Sequence, residues 1–433
     1  MKRHGQLMPK IADVENLRLA FWKAAKGKRG KADCRVFQER LDENLAALGA
    51  ELLAGDVPVG DYHYFKVHDP KERLICAATF RERVLHHALM NVCEPILERA
   101  AVFDSYACRK GKGRMLAVAR AQSYARTHRW FLKMDIRKYF DSIHQATLRE
   151  LLGRKFKDPL LLGVFDRILA SYHTTPGRGL PIGNLTSQHL ANFFLGPLDR
   201  FLKEELRSVA YVRYMDDFVV WGWSGSELRA VCERVRAFLA AELKLELKSN
   251  TAINRTEFGM DFLGYRLFPG TVRLARRSKV RFMRKFRRYE AAQRCGRWSE
   301  LLLQQRMQAL LAFVMPAESG AFRRHVLQRF GVAAKRLQPC ESGRQLGQQR
   351  DQLPDGQSQQ QQPGQQQQQH WIPFRPAPSS TLLPDGGGVD PAAILSGANE
   401  FWPANKDNKP PGASRLAELS ENSGRNHFYE TSN

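Results

Sequence analysis

An α+β fold is predicted by three features of the chain. Short β-like apolar runs, WFLKMD (130–135), YVRY (211–214) and FVVWGW (218–223), lie between long amphipathic stretches of helical period. Two of these runs flank a tight polar pair, Asp216-Asp217, as the arms of a hairpin do, so the sheet should be small and largely antiparallel. Hydrophobic residues at 43% and charged residues at 26% suit a packed core, which excludes full-length disorder, collagen-like repeats and small disulfide-framed folds. A length of 433 residues gives room for two or three domains.

Taken in order, residues 1–60 read as helix. VENLRLAFWKAAKGKRG and FQERLDENLAALGAELLAG both carry apolar residues at helical spacing, and the second ends on Gly. A third amphipathic segment, RERVLHHALMNVCEPILERA, covers 81–100. From 131 the β-like runs alternate with helical stretches at 148–156, 185–206 and 226–247. From 271 to 335 the chain reads as helical and very basic. Beyond about 339 periodicity stops, with fourteen Gln between 345 and 369 followed by Pro, Gly, Ser and Asn. The predicted divisions are a helical extension over 1–60, segments at 61–130, 131–268 and 269–338, and a low-complexity, disordered tail over 339–433.

Charge narrows the function. The chain has 68 Lys+Arg against 44 Asp+Glu, a net +24. Residues 340–433 hold 7 basic and 10 acidic residues, so that segment is net −3 and residues 1–339 carry +27. A surplus that large implies a polyanionic partner, with a merely basic soluble protein as the plain alternative. Seven Cys without a CxxC pair, a charged N-terminus and no long apolar run lead to the expectation of a cytoplasmic protein with reduced thiols.

The chemistry concentrates in carboxylates. Asp216 and Asp217 repel one another, and Asp is a poor β former, so a divalent cation is the economical explanation of the pair; a solvated Asp-Asp turn is the alternative. Asp135 closes another short strand, where a sheet would bring separate carboxylates together. Three such groups are what two-metal phosphoryl transfer requires. His86 and His87 lack metal-ligand spacing on their helix and are read as packing or RNA-contact residues. GKGR at 111–114 lacks the spacing of a phosphate-binding Walker loop.

YMDD (214–217) and KMDIRKYFDSI (133–143) resemble the hallmark motifs of reverse transcriptases. KERLICAATFRERVLHHAL (71–89), SYACRKGKG (105–113), GLPIGNLTSQHLANFFLGPLD (179–199) and MDFLGYRL (260–267) extend the resemblance in order along the chain. It implies a right-hand polymerase fold: fingers over 61–130, a palm over 131–268 with part of the fingers inserted, and a helical thumb over 269–338. It implies RNA-directed DNA synthesis with two Mg²⁺ ions held by Asp135, Asp216 and Asp217, the Ile136 carbonyl being a further ligand. Phe140 falls at the gate that excludes a ribose 2′-hydroxyl. Arg81, Arg83 and Arg109 are candidates for triphosphate or template contacts, and Tyr214 and Gly183 for the substrate site. Lys248 matches a residue able to protonate leaving pyrophosphate.

Within that family, LPIGNLTSQ (180–188) is similar to the reverse transcriptases of diversity-generating retroelements, which copy a template RNA with errors at adenines. The resemblance implies that Ile182 and Gln188 relax discrimination opposite adenine, and that dNTPs, template RNA and a small basic accessory protein are partners. The tail agrees. If Gln is encoded as CAA, a frame shifted by one base gives Asn, and residues 344–374 then yield a peptide opening on GxW and closing on IGFR, similar to these elements' template repeats. A group II intron-like or phage-defence reverse transcriptase, and a non-catalytic RNA-binding scaffold, are the rival readings.

Overall fold

The computed structural model describes residues 3–68 and 72–331. The tail predicted at 339–433 and the end of the 269–338 segment lie outside the described residues. Helices come first, as the spacing predicts: α1 (Met8–Ile11), α2 (Val14–Ala25), α3 (Ala32–Glu39) and α4 (Leu41–Ala54). Asp13 caps α2 by accepting from the Glu15 and Asn16 N–H groups, and Gly55 ends α4 in the left-handed conformation that glycine adopts without steric penalty. A hairpin follows that the sequence reading did not mark, β1 (Tyr62–His68) against β2 (Glu72–Ala78). The long α5 (Phe80–Ala100) matches the third predicted helix, and α6 (Arg114–Thr127) leads into the strands.

The central sheet is built from β3 (Trp130–Asp135), β4 (Tyr211–Tyr214), β5 (Asp217–Gly222) and β6 (Ala252–Arg255) in the order β4-β5-β3-β6, every neighbour antiparallel. Between β3 and β4 run α7 (Tyr139–Ser142), α8 (Gln145–Gly153), α9 (Pro159–Ala170), α10 (Leu185–Phe194) and α11 (Gly196–Arg200); α12 (Gly225–Phe238) joins β5 to β6. The three strands β3, β4 and β5 are buried on both faces, which explains why they read as near-continuous apolar runs, whereas the edge strand β6 is largely exposed. Leu132, Met134, Tyr211, Phe218 and Val220 point into one core with the N-terminal helices, α5 and α8 to α12. Phe131, Val212, Val219 and Trp221, one residue out of phase, enter a second core. That core is closed by α6, a small sheet of β7 (Met260–Phe262), β8 (Tyr265–Leu267) and β9 (Val272–Leu274), and the helices α13 (Arg276–Arg294), α14 (Glu300–Val314) and α15 (Gly320–Phe330).

Two boundaries differ from the expectation. Residues 272–274 are strand, not helix: Pro269-Gly270 makes a turn in which the Phe268 N–H donates to the Thr271 carbonyl, and β-branched Val272 then pairs back on Leu267. The helix predicted over 226–247 ends in a π-helical turn at Leu239–Leu243, after which left-handed Lys244 (φ +55°) redirects the chain into an extended run. That run pairs Leu247 with Ile136 and delivers Lys248 to the end of β3. Among the described residues no helix is long and apolar enough to cross a membrane.

Candidate active site

Asp135 ends β3, Asp217 begins β5, and the two are direct partners in the ladder. Directly opposed antiparallel residues put their Cα atoms ~4.5–5.5 Å apart and their side chains on one face, where like charges repel. Tyr214 pairs with the same Asp217, leaving Met215 and Asp216 as a two-residue turn. Only Met215 is left-handed there (φ +58°), at a position where hairpins of this length normally carry Gly. A non-glycine residue so placed costs about 1–3 kcal/mol. All three predicted carboxylates therefore meet at one end of the sheet.

Burial and proximity set their electrostatics. Burial first, then the Asp135 charge, pushes Asp216 up from an ordinary 3.8 to about 6. Asp217 is likewise pushed up to about 6 by burial, with Asp135 and Asp216 adding to the rise and the nearby Lys133 ammonium opposing it. Lys133 lies 3.3 Å from Asp217 Oδ2 and also donates to the Asp261 carbonyl at 2.8 Å, tying the site to β7. Lys248 Nζ donates to Asp135 Oδ2, and the Lys248 N–H to the Asp135 carbonyl at 2.8 Å. The remaining oxygens, Asp135 Oδ1 and Asp217 Oδ1, are buried without a hydrogen-bond partner. Among the described residues no three His, Cys, Asp or Glu side chains close on one point as a finished metal cluster. Here two of the three carboxylates carry an ammonium instead. An all-oxygen donor set with unsatisfied buried atoms nevertheless suits Mg²⁺. The Ile136 carbonyl is not consumed by the bridge to Leu247, whose two bonds run from Arg137 N–H to Glu246 and from Lys248 N–H to Asp135.

The other predicted residues divide. Half-buried Phe140 sits in the short α7 just beyond left-handed Lys138 (φ +43°), its ring edge-on to Tyr139. Its carbonyl accepts the Leu180 N–H at 2.9 Å, and the Ile182 carbonyl accepts the Cys76 N–H at 2.8 Å, so the 180–183 loop is strung between α7 and β2. Gly183 lies at φ +119°, where a Cβ would stand 2.9 Å from Ile75 Cγ2 and 3.1 Å from the Cys76 carbonyl oxygen; only glycine fits. Gln188, in the first turn of α10, accepts from the Cys108 thiol at 3.7 Å. Tyr214 ends β4, half-buried against the second core, and burial pushes its phenol up.

The arginines are a correction in part. Arg109 is 8% exposed and engaged by Glu98 and by the Val102 and Ser105 carbonyls, because its loop carries backbone acceptors that need a buried donor. Arg81 pairs with Glu51 of α4, and half-buried Arg83 donates from Nε to the Ala78 carbonyl at 3.0 Å. Neither Arg81 nor Arg109 is left open for a phosphate. Arg73 of β2, which the sequence reading passed over, is the guanidinium whose charge acts on both Asp216 and Asp141. His86 packs, as predicted, in the core beside Glu82.

Residues 66–267 match the family described as reverse transcriptase (RNA-dependent DNA polymerase). They form a reverse transcriptase domain. The chain therefore carries an RNA-directed DNA polymerase domain, and the three carboxylates lie inside it. The domain is similar to Protein YkfC of Escherichia coli, 26% identical over 54% of this chain and 73% of that protein. It is also similar to the group II intron-encoded protein LtrA of Lactococcus lactis, 23% identical over 48% of this chain and 46% of that protein. The chain thus spans less than half the length of the intron protein. A telomerase from Candida albicans, in complex with a fragment of telomeric RNA, superposes with a TM-score of 0.41 at 10% identity, covering 64% of this chain and 57% of that one.

Proposed function

We propose that this protein copies an RNA template into DNA by attack of a primer 3′-oxygen on a dNTP, at the end of the sheet where β3 meets the β4–β5 turn. The observation that carries this reading is the ladder pairing of Asp135 with Asp217 beside Asp216, with two buried carboxylate oxygens unsatisfied. Two Mg²⁺ ions held by these three residues and the Ile136 carbonyl would supply the positive charge that activates the 3′-oxygen and neutralises the triphosphate. Lys248 and Lys133 hold the carboxylates in place of that charge and so keep the sheet end from repelling itself apart. Lys248 Nζ carries the proton for the departing pyrophosphate. Arg73 binds the triphosphate, and Phe140 blocks a 2′-hydroxyl. In this reading 61–130 are fingers, 131–268 the palm, and the basic α13 begins a thumb that grips the duplex backbone.

We place the enzyme in a diversity-generating retroelement, on LPIGNLTSQ and on the Asn-rich peptide that residues 344–374 would yield one base out of frame if their Gln codons are CAA. Ile182 and Gly183 on the loop, with Gln188 in the first turn of the helix that follows it, face the templating base in this reading, and a small basic protein assists. A group II intron-like enzyme is the second reading, favoured by the intron-encoded relative. Primer extension on an RNA template separates these ideas. DNA synthesis should need Mg²⁺ and Asp216, with substitutions concentrated opposite template adenines. Uniformly faithful cDNA would support the intron-like reading, and synthesis by Asp216→Ala or in EDTA would refute the site.

A further inference from the structure

A buried clasp sits beneath the Met215–Asp216 turn. The side chains of Arg213 and Asp199 are 1% and 0% exposed. All five guanidinium N–H groups are used. Nε and Nη2 donate to Asp199 Oδ1 and Oδ2 at 2.7 and 2.6 Å, Nη2 also to the Asn192 carbonyl at 3.2 Å, and Nη1 to Asn192 Oδ1 at 2.8 Å and the Met215 carbonyl at 3.1 Å. The Tyr211 hydroxyl adds a third bond to Asp199, at 2.6 Å to Oδ1. The backbone is held as well: the Arg213 N–H donates to the Asp104 carbonyl, and its own carbonyl accepts the Tyr106 N–H.

A pair this deep contributes little net stability, because desolvating two charges offsets most of their attraction. What it does fix is direction. A guanidinium offers five donors in a rigid plane, so its bond to Asp199 determines where its other edge points. That edge meets the carbonyl of Met215, the one strained residue of the turn, and strained backbone persists only where its surroundings over-determine it.

We propose that Arg213 is a positioning residue for the polymerase centre. Through the Met215 carbonyl it holds the left-handed turn that presents Asp216 and Asp217 opposite Asp135. Through Asn192 it locks that turn to α10, whose first turn carries Gln188. The proposal rests on the polymerase reading of the three carboxylates.

Two variants of the full chain test it. Arg213→Lys keeps a charge beside Asp199 but cannot span Asp199, Asn192 and Met215 together. The triple replacement Arg213→Met, Asp199→Leu, Tyr211→Phe removes both charges and the orphaned hydroxyl, so that folding need not suffer. We expect kcat for primer extension to fall at least ~tenfold with the dNTP KM within about threefold. Hydrogen exchange at the amides of 215–218 should accelerate at least ~tenfold while those of 130–134 stay as protected as in the parent. Parental kcat and parental protection of the turn in either folded variant would overturn the proposal. So would faster exchange spread evenly over the whole sheet, which is the mark of a general structural role. If the triple variant does not fold, Arg213→Lys decides alone. If the parent itself makes no DNA, the polymerase reading has failed, and the exchange measurement still judges the clasp.

Discussion

Asp216→Asn removes a charge that the fold holds at a cost and that the proposed chemistry needs. With its carboxyl raised from 3.8 to about 6, ionising Asp216 in the folded protein costs about 3 kcal/mol more than in the unfolded chain, at 1.36 kcal/mol per unit. Part of that is shared with Asp135, and the Lys248 and Arg73 charges lose a favourable neighbour, so we expect a net gain of about 1–2 kcal/mol, or a few degrees in Tm. The sign follows from linkage: the folded state holds this proton more tightly than the unfolded chain does. The gain should therefore be absent below pH 3.8, grow between 3.8 and about 6, and be complete above. Thermal or urea unfolding of parent and variant in EDTA, from pH 3.5 to 8, measures it directly. Added Mg²⁺ should stabilise the parent alone and narrow the gap, while primer extension by the variant falls on the order of a hundredfold or more. A variant less stable than the parent at pH 7.5 in EDTA, or a difference flat across pH, would refute the reasoning.

Further outcomes follow from the same geometry. Phe140→Ala should raise ribonucleotide incorporation at least ~tenfold relative to dNTPs, read by competitive extension; unchanged selectivity would remove Phe140 from the sugar site. Arg73→Ala should raise the dNTP KM at least ~tenfold, whereas Arg109→Ala should chiefly lower Tm, since its donors already serve Glu98 and two carbonyls. Gly183→Ala should lift the 180–183 loop from β2 at about 1–3 kcal/mol; a variant with parental stability and kinetics would show the close approach to Ile75 to be unimportant.

That the three acids would meet was legible because they break rules: Asp is a poor strand former, and all three sit at the ends of apolar runs. Arg213 broke the same kind of rule, a cation inside the otherwise buried YVRY strand, and could have been paired with the lone acid of LGPLD had buried charge been demanded a partner. Arg73 was not readable, because its relation to Asp216 depends on where the β1–β2 hairpin docks, a long-range matter with no trace in local spacing. Lys248 reached β3 through the Lys244 turn, which helical periodicity up to Leu243 conceals. The strand at 272–274 was hidden by the basic run after it, although Pro269-Gly270 announced the turn.

The Cys76–Ile182 hydrogen bond and the seat of Gly183 on Ile75 join two parts to which the proposed function gives different tasks, the strand that carries Arg73 and the 180–183 loop. Mechanically they are one lever. If the proposed tasks hold, any swing of the hairpin on seizing a nucleotide would tug that loop with it, and speed of capture and accuracy of copying would share one hinge.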